Sequence, residues 1–432
     1  MVDALPGAGR QTLASIWHTG RTAPVPDEIP AGWCLRNISD VAELASGHTP
    51  NRQRPDYWGG SCQWISLHDS KGLESNYISE TALTITEAGL AHSSARRLPI
   101  DTVVFSRTAT IGKCTRMATE MATSQDFANY ICGPLLNSLY LVYLFRFLGP
   151  EWHRLMSGST HNTIYMYVFE RLQVLLPPLP EQRAIAAALS DVDDLLQSLD
   201  RLIAKKRDIK QGTMQELLTG KTRLPGFSGK WETKRLGEMG TCLRGVSYNP
   251  EYDLAADDTD CTFRLLRSTN LQRGRLDLED LQFVDESRVA HWQHLRAGDL
   301  VFCAANGSRS LVGKSAVFDI EDGHRYTFGA FMGAFRTNLE ITDSSFAGHL
   351  FHSNNFFKRL DLALSGSAIN NLSPSEVESF SFTVPPLPEQ RAIAAVLSDM
   401  DAEIDALEAR RKKVAAIKQG MMQELLTGRT RL

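Results

Sequence analysis

Long hydrophobic runs, paired cysteines and a surplus of one charge are all missing from this sequence of 432 residues. The most apolar stretch, LLNSLYLVYLFRFL, is shorter than the ~20 residues a bilayer-crossing helix needs, and it contains Arg146. It reads as a core helix. The N-terminal MVDALPGAGRQTLASIW shows neither a charged-then-apolar leader nor a small-residue cleavage site, so a soluble, cytoplasmic protein is expected. The seven cysteines (Cys34, Cys62, Cys114, Cys132, Cys242, Cys261 and Cys303) are odd in number and scattered, with no CxxC pair. That pattern argues for reduced thiols and against structural zinc. With 46 Lys and Arg against 50 Asp and Glu the net charge is -4. Binding to nucleic acid would have to come from clustered basic side chains rather than from a basic total.

What is present is a duplication. The segment PPLPEQRAIAAALSDVDDLLQSLDRLIAKKRDIKQGTMQELLTGKTRL at 177–224 returns at 385–432, 208 residues later and without a gap, with 31 of 48 positions identical. Ser157-Gly158-Ser159 and Asn162 likewise stand 208 residues before Ser365-Gly366-Ser367 and Asn370. A fainter copy of the repeat's tail opens the chain, where Gln11, Thr19-Gly20 and Thr22 precede Gln211, Thr219-Gly220 and Thr222 by 200 residues.

Each repeat carries helix signals: Pro180 or Pro388 in a first turn followed by Glu-Gln, where polar and negative groups suit free backbone N–H groups. Ile185, Leu189, Val192, Leu196, Leu199 and Ile203 follow at spacings of four and three. Ile393, Leu397, Met400, Ile404 and Leu407 repeat them, which is the seam of a coiled coil. The pattern loosens at Lys206 and Lys210. A helix from Glu181 to Leu218, closed by Gly220, would be about 57 Å long at ~1.5 Å per residue. The stripe can pack on its own neighbouring domain or on the other repeat, and pairing of the two repeats as an antiparallel coiled coil is the expectation. Gly212 and Gly420 interrupt the helices at ~1 kcal/mol each, by a close crossing or a simple bend.

Between the helical segments, short alternating apolar runs such as DTVVF and GDLVFCA are separated by Gly, Ser and Asn turns, as in mixed α+β domains. VVFSRTATIGK (103–113) answers to LVFCAANGSRSLVGK (300–314), and CQWISLHDSKG (62–72) to FRLLRSTNLQRG (263–274). The expected layout is α+β with pseudo-two-fold duplication: a partial repeat tail at 1–22, a domain at 23–176, a helical region at 177–226, a second domain at 227–384 and a helical region at 385–432. Two domains of one origin on one frame should do the same kind of work on different targets.

PPLPEQRAIAA leading into a long helix, closed by KQGTMQELLTGKTRL and doubled at this distance, closely resembles type I restriction-modification DNA-specificity subunits. SGHTPNRQRPDYWGG, followed by WISLHD and ATIGK, resembles one version of that family's target-recognition domain. The resemblance implies a non-catalytic subunit that reads bipartite, asymmetric double-stranded DNA, one half-site per domain. It also implies two modification (methyltransferase) subunits and two restriction (motor and nuclease) subunits as partners. S-adenosylmethionine, ATP and Mg would belong to those partners, with no cofactor bound by this chain and no membrane contact.

Residues of other chemistries fail on inspection. TGKT at Thr219–Thr222 has Gln215 where a phosphate loop needs its first glycine, and the second copy has Arg429 for the lysine. Asn249-Pro250 is followed by Glu251 and Tyr252, so it does not match an amino-methyltransferase motif. Pro55-Asp56 with Asp69-Ser70-Lys71 has the outline of a metal-dependent nuclease site, but the second domain offers Pro250-Glu251 with Thr269, Asn270 and Leu271. His291 with His294 and His349 with His352 are bare HxxH pairs, read as satisfied surface histidines rather than metal ligands. No catalytic and no metal residue is assigned.

Base edges are read by Arg, Asn, Gln, Ser and Thr, while Lys and Arg on phosphates set position. The candidates are Arg52, Arg54, Trp64, His68, Lys71, Arg107 and Lys113 in the first domain. In the second they are Arg264, Arg267, Asn270, Arg273, Arg309 and Lys314. Leu189, Val192, Leu196, Leu199, Ile203, Leu397, Met400, Ile404 and Leu407 are the expected helix seam and partner platform. A protein-binding scaffold without DNA readout and a self-sufficient nuclease are the rival readings.

Overall fold

The computed structural model describes residues 29–156, 162–272, 274–365 and 370–432. The partial repeat tail at 1–22, Ser157-Gly158-Ser159 and Arg273 therefore lie outside the described residues. Among the described residues no helix is long and apolar enough to cross a membrane, and all seven cysteines are free thiols. The helical regions form Leu179–Leu217 and Leu387–Leu425, 39 residues each. Two compact units share them: one comprises Met1–Leu199 with Arg410–Leu432, the other Asp200–Ala409.

In the first unit a five-stranded sheet runs in the order Ala42–Ser46, Phe127–Cys132, Val103–Ser106, Cys114–Met117, Tyr77–Ile78. A three-stranded sheet places Trp58–Ile65 between Leu83–Ile85 and Met121–Thr123. The helix Ser138–Phe147, from the apolar run noted above, is capped by Asn137 and almost wholly buried. Its one basic residue, Arg146, is satisfied by Asn76 Oδ1 and the carbonyls of Glu74, Ser75 and Cys114 at 2.7–2.9 Å. Tyr140, Leu141 and Phe145 share one core with Ile185, Ala186 and Leu189 of the first long helix and with Met422, Leu425 and Leu426 of the second. The first helical turns thus pack both on their own domain and on the other repeat.

The second unit rebuilds this design. Gly240–Arg244, Met332–Thr337, Leu300–Cys303 and Ser315–Val317 form one four-stranded sheet; Leu254–Ala255, Gln282–Asp285, Thr262–Leu266 and Tyr326–Phe328 form another. Its core joins Phe346, Ala347 and Leu350 to Ile393, Ala394 and Leu397 and to Met214, Leu217 and Leu218. Each long-helix member of this core stands 208 residues from its counterpart in the first unit.

The repeated motif now has a physical account. Glu181 is buried and takes the guanidinium of Arg431 (Nη2 at 2.7 Å) and the indole N–H of Trp33 (3.2 Å). Glu389, equally buried, takes Arg223 through two 2.6 Å bonds and Trp231 at 3.2 Å. Gln182 and Gln390 each satisfy a proline carbonyl before the helix and a loop carbonyl, and each accepts the backbone N–H of Asn137 or Asp343. Glu-Gln at a helix start and Thr-Arg-Leu after the other helix's end are therefore two halves of one clasp. Gly220 and Gly428 adopt φ of +69° and +72° beyond the helix ends. A Cβ there would also crowd Trp231 (3.2 Å) or Pro30 (2.5 Å), so glycine is required on both counts.

Where the apolar spacing loosens, charge takes over. Lys206 pairs with Glu403 at 2.7 Å, Arg207 with Glu408 at 2.5 Å, and Lys210 with Asp401. Farther along, Met214, Leu217 and Leu218 share a core with Ile393, Ala394 and Leu397, so the later residues of one segment meet the earlier residues of the other and the two run antiparallel. Lys418 with Asp193 is the same pair in the first unit. Of the expected seam, Leu189, Leu199, Ile203, Leu397 and Ile404 are buried, whereas Val192, Leu196, Met400 and Leu407 are half-buried. The close-crossing reading of Gly212 and Gly420 does not hold: both are exposed, and a Cβ on either would meet nothing within 4 Å.

Candidate nucleic-acid interface

Four loops converge at one end of the main sheet in each unit, and backbone bonds fix them alike. In the first unit Gly47 leaves strand Ala42–Ser46 so close to the Thr123–Ser124 backbone that a Cβ would lie 2.2 Å from Thr123 O. His48 N donates to Thr123 O at 2.9 Å and Thr49 Oγ1 to Gln125 Oε1 at 2.6 Å. Arg107 N donates to Asp126 O (3.0 Å), Ile164 N to Arg107 O (2.9 Å), and Thr108 bridges to Thr163. In the second unit Gly245 takes the place of Gly47, its Cβ position 1.9 Å from Gly329 O. Val246 N donates to Phe328 O (2.7 Å), Ala304 N to Phe331 O (2.9 Å) and Leu372 N to Ala304 O (2.8 Å). Ala305 bridges to Asn371.

The frame is common and its exposed side chains are not. His48, Gln125 and Asn162 are exposed in the first unit, beside Tyr165 and Tyr167, whose rings stack at 6.1 Å with about half of each exposed. Arg244, Ser247, Phe331 and Asn371 occupy the corresponding rim of the second unit and line a cavity of about 380 Å³. Such a surface offers hydrogen-bond donors, acceptors and ring faces on loops held by a rigid sheet, which is what base-edge contacts require.

The sequence-derived candidates divide sharply. Arg52, His68, Lys71 and Lys314 are exposed, with no side-chain partner among the described residues. Arg54 is exposed and pairs with Asp56 at 2.9 Å; that bond raises the Arg54 pKa and lowers that of Asp56. Lys113 is held by Glu74 at 2.6 Å, which keeps the Glu74 carboxyl below its usual range, and Arg309 binds the Asp361 carbonyl at 2.8 Å.

Several candidates are structural instead. Trp64 is fully buried, its indole donating to His48 O at 3.0 Å, because its strand is central in the three-stranded sheet. Arg107 spans Gln125 O (2.7 Å) and Ile164 O (3.4 Å), and burial lowers its pKa. Arg264 is clamped by Asp258, Asp322 and Tyr326, all at 2.8 Å, and Arg267 by Asp280. Asn270 is 2% exposed and caps its own turn from Arg267 N at 2.9 Å, as Asp69 does from Ser66 N at 2.8 Å. The aligned positions thus share a capping role.

Both carboxylate oxygens of Asp69 are engaged, by Ser66 N at 2.8 Å and Ala82 N at 2.7 Å, and among the described residues no group of three His, Cys, Asp or Glu could hold a metal ion. The HxxH pair at His349 and His352 is not a surface feature. His349 is buried beside Ser398 (3.3 Å), with its pKa lowered by burial to about 4, and His352 contacts Ser315 O (3.0 Å). The residues missed by sequence reasoning are Gln125, Tyr165, Tyr167, Arg244, Ser247, Phe331 and Asn371. The usable signal was Gly47 and Gly245 marking equivalent loops, together with Asn162 and Asn370 at the repeat offset.

Comparison with known proteins agrees with this architecture. The family model described as type I restriction modification DNA specificity domain matches residues 30–206 and 300–416. The type I restriction enzyme MjaIX specificity subunit of Methanocaldococcus jannaschii is 23% identical over 96% of this chain and 98% of its own length. The EcoKI specificity subunit of Escherichia coli is 31% identical over 46% of this chain and 42% of its own. Among solved structures, the type I system S subunit from M. genitalium gives a TM-score of 0.58 at 14% identity, covering 94% of this chain and 98% of that one. A chain from a study of type I restriction-modification complex assembly and conformational transition gives 0.59 at 17% identity, covering 93% and 99%. The structural likenesses establish the fold, and the matched family model covers well over half of the sequence: this chain belongs to the type I restriction-modification DNA-specificity family.

Proposed function

We propose that each unit reads one half of a bipartite, asymmetric duplex target, and that the helices carry the other subunits of the system. The observation that supports this best is the loop frame built twice with the same backbone bonds and different exposed side chains. One frame with two sets of readers suits two different half-sites.

In this reading the chain catalyses nothing. Two modification subunits supply the S-adenosylmethionine chemistry on adenine, and two restriction subunits supply ATP- and Mg-dependent translocation and cleavage. This chain's residues bind, orient and hold register. Arg52, Lys71 and Lys314 serve the phosphates, and the rim residues serve the bases.

A gel shift with genomic fragments tests this, with and without the modification subunit and at two salt concentrations. Sequence-selective binding that weakens with salt is expected. Salt-independent or absent binding would favour a protein-binding scaffold, and metal-dependent cutting by the isolated chain would favour a nuclease.

A further inference from the structure

Phe331 sits in the turn between strands Tyr326–Phe328 and Met332–Thr337, and the residue is 71% exposed. Its backbone is fixed from several sides. The Phe331 carbonyl accepts from Ala304 N (2.9 Å) and Ala305 N (3.0 Å), and Met332 N donates to Gly329 O (2.8 Å). At Gly333 a Cβ would strike the Phe302 ring at 2.4 Å, so the strand start packs closely on that ring. A rigid turn therefore holds an aromatic ring in solvent.

A single exposed ring would mean little; its surroundings decide. Arg244, Ser247 and Asn371 line the same cavity, and all three are exposed. None of their side chains has a hydrogen-bond or ion-pair partner among the described residues, whereas Arg264, Arg267 and Arg309 are all engaged. No Asp or Glu lines the cavity, so no acidic lining residue offsets the charge of Arg244. Gly245, Ala304, Ala305 and Ala330 form much of the wall, small enough for a bulky polymer edge to approach. In the first unit the matching turn carries Gln125 and Asp126, and the Asp126 carboxylate is tied to Ser124 (2.8 Å) and Thr108 (3.1 Å). The two frames thus differ in chemistry at this turn, an aspartate held by hydroxyls in one and the exposed Phe331 in the other.

We propose that Arg244, Phe331 and Asn371 are base-reading side chains of the second unit, acting in the major groove of double-stranded DNA. The chemistry of each fits one edge: Arg244 is suited to guanine O6 and N7, Asn371 to adenine N6 and N7, and the Phe331 ring to a thymine methyl. The inference rests on the half-site reading above and names residues within it.

The test uses the chain assembled with its modification subunit, as wild type and as Phe331→Ala, Arg244→Gln and Asn371→Ala, with Tyr252→Ala as control. Tyr252 is 80% exposed in the same unit but does not line the cavity. The readouts are the genome-wide methylated-adenine motif and the affinity for the wild-type site against a scrambled duplex. Each variant should weaken the specific duplex by about 10- to 100-fold. Each should also relax one position within a single half-site, while Tyr252→Ala changes neither readout. Phe331→Leu and Asn371→Ser carry the test if a variant also loses scrambled-duplex binding, the sign of a folding defect. An unchanged motif with an unchanged ratio of specific to scrambled affinity would overturn the proposal while leaving the half-site reading intact. Absence of any sequence preference in the wild-type complex would overturn both.

Discussion

Removing Arg223 should expose how much the Glu-Arg clasp contributes. Glu389 is 1% exposed and holds Arg223 through two 2.6 Å bonds, with Trp231 as the remaining donor at 3.2 Å. Arg223→Ala leaves a buried carboxylate facing one neutral N–H. Breaking such a pair costs ~3–5 kcal/mol. Because the Arg223 side chain is 28% exposed and water can follow it out, about 3 kcal/mol is expected. Glu389→Gln retains an acceptor for the arginine and should cost about 1–2 kcal/mol. The double variant should cost less than the two singles together, giving a coupling of about 2 kcal/mol. A chain of two units need not unfold in one step, so the assay is hydrogen exchange of the amides in the first turns of Leu387–Leu425, which reports the local opening free energy. An Arg223→Ala cost under about 0.5 kcal/mol, or a coupling near zero, would refute the claim that the clasp ties one repeat's helix start to the other's tail.

Other outcomes follow from the same geometry. Leu199→Asp puts a charge at a buried seam position and should cost several kcal/mol and impair recruitment of modification subunits, whereas Leu196→Asp, at a half-buried one, should cost clearly less; equal effects in thermal melting and pull-down would contradict this. Gly212→Ala and Gly420→Ala should each stabilise by about 0.5–1 kcal/mol, since both are exposed helix-interior positions with open space for a Cβ; destabilisation in urea titration would count against it. Burial, with Lys210 nearby, holds His349 at about 4 in the fold, against ~6.5 unfolded. The unfolded chain therefore binds more protons between those values. Stability should be full above about pH 6.5 and decline by up to ~3 kcal/mol as pH falls toward 4, and His349→Gln should flatten part of that slope.

The helices were legible because their signals are local: proline and Glu-Gln at the start, a three-four apolar spacing, glycine at the end. The clasp was not, since Glu181 and Arg431 are 250 positions apart and nothing in either neighbourhood names the other. Lys206 and Lys210 looked like a fading seam and are its continuation in charge, answered by Glu403 and Asp401. The interface was the least legible part. Counting basic residues favoured Arg264, Arg267 and Arg107, yet an arginine beside a carboxylate or a row of carbonyls is as often a brace as a reader, and these three are braces. Trp64 and Asn270 occupy turns and strands whose interior they fill or cap. Gln125 in the first unit and Phe331 and Asn371 in the second are uncharged and sit in short turns, so only the fold shows that each lies on the rim of its own unit.

The central claim, one reader per half-site, is tested most directly by exchanging residues 227–384 for the matching domain of a relative and sequencing methylated adenines genome-wide. The account predicts that one half of the methylated sequence changes while the other half and the approximate spacing stay as they were. A swap that altered both halves together, or neither, would contradict it.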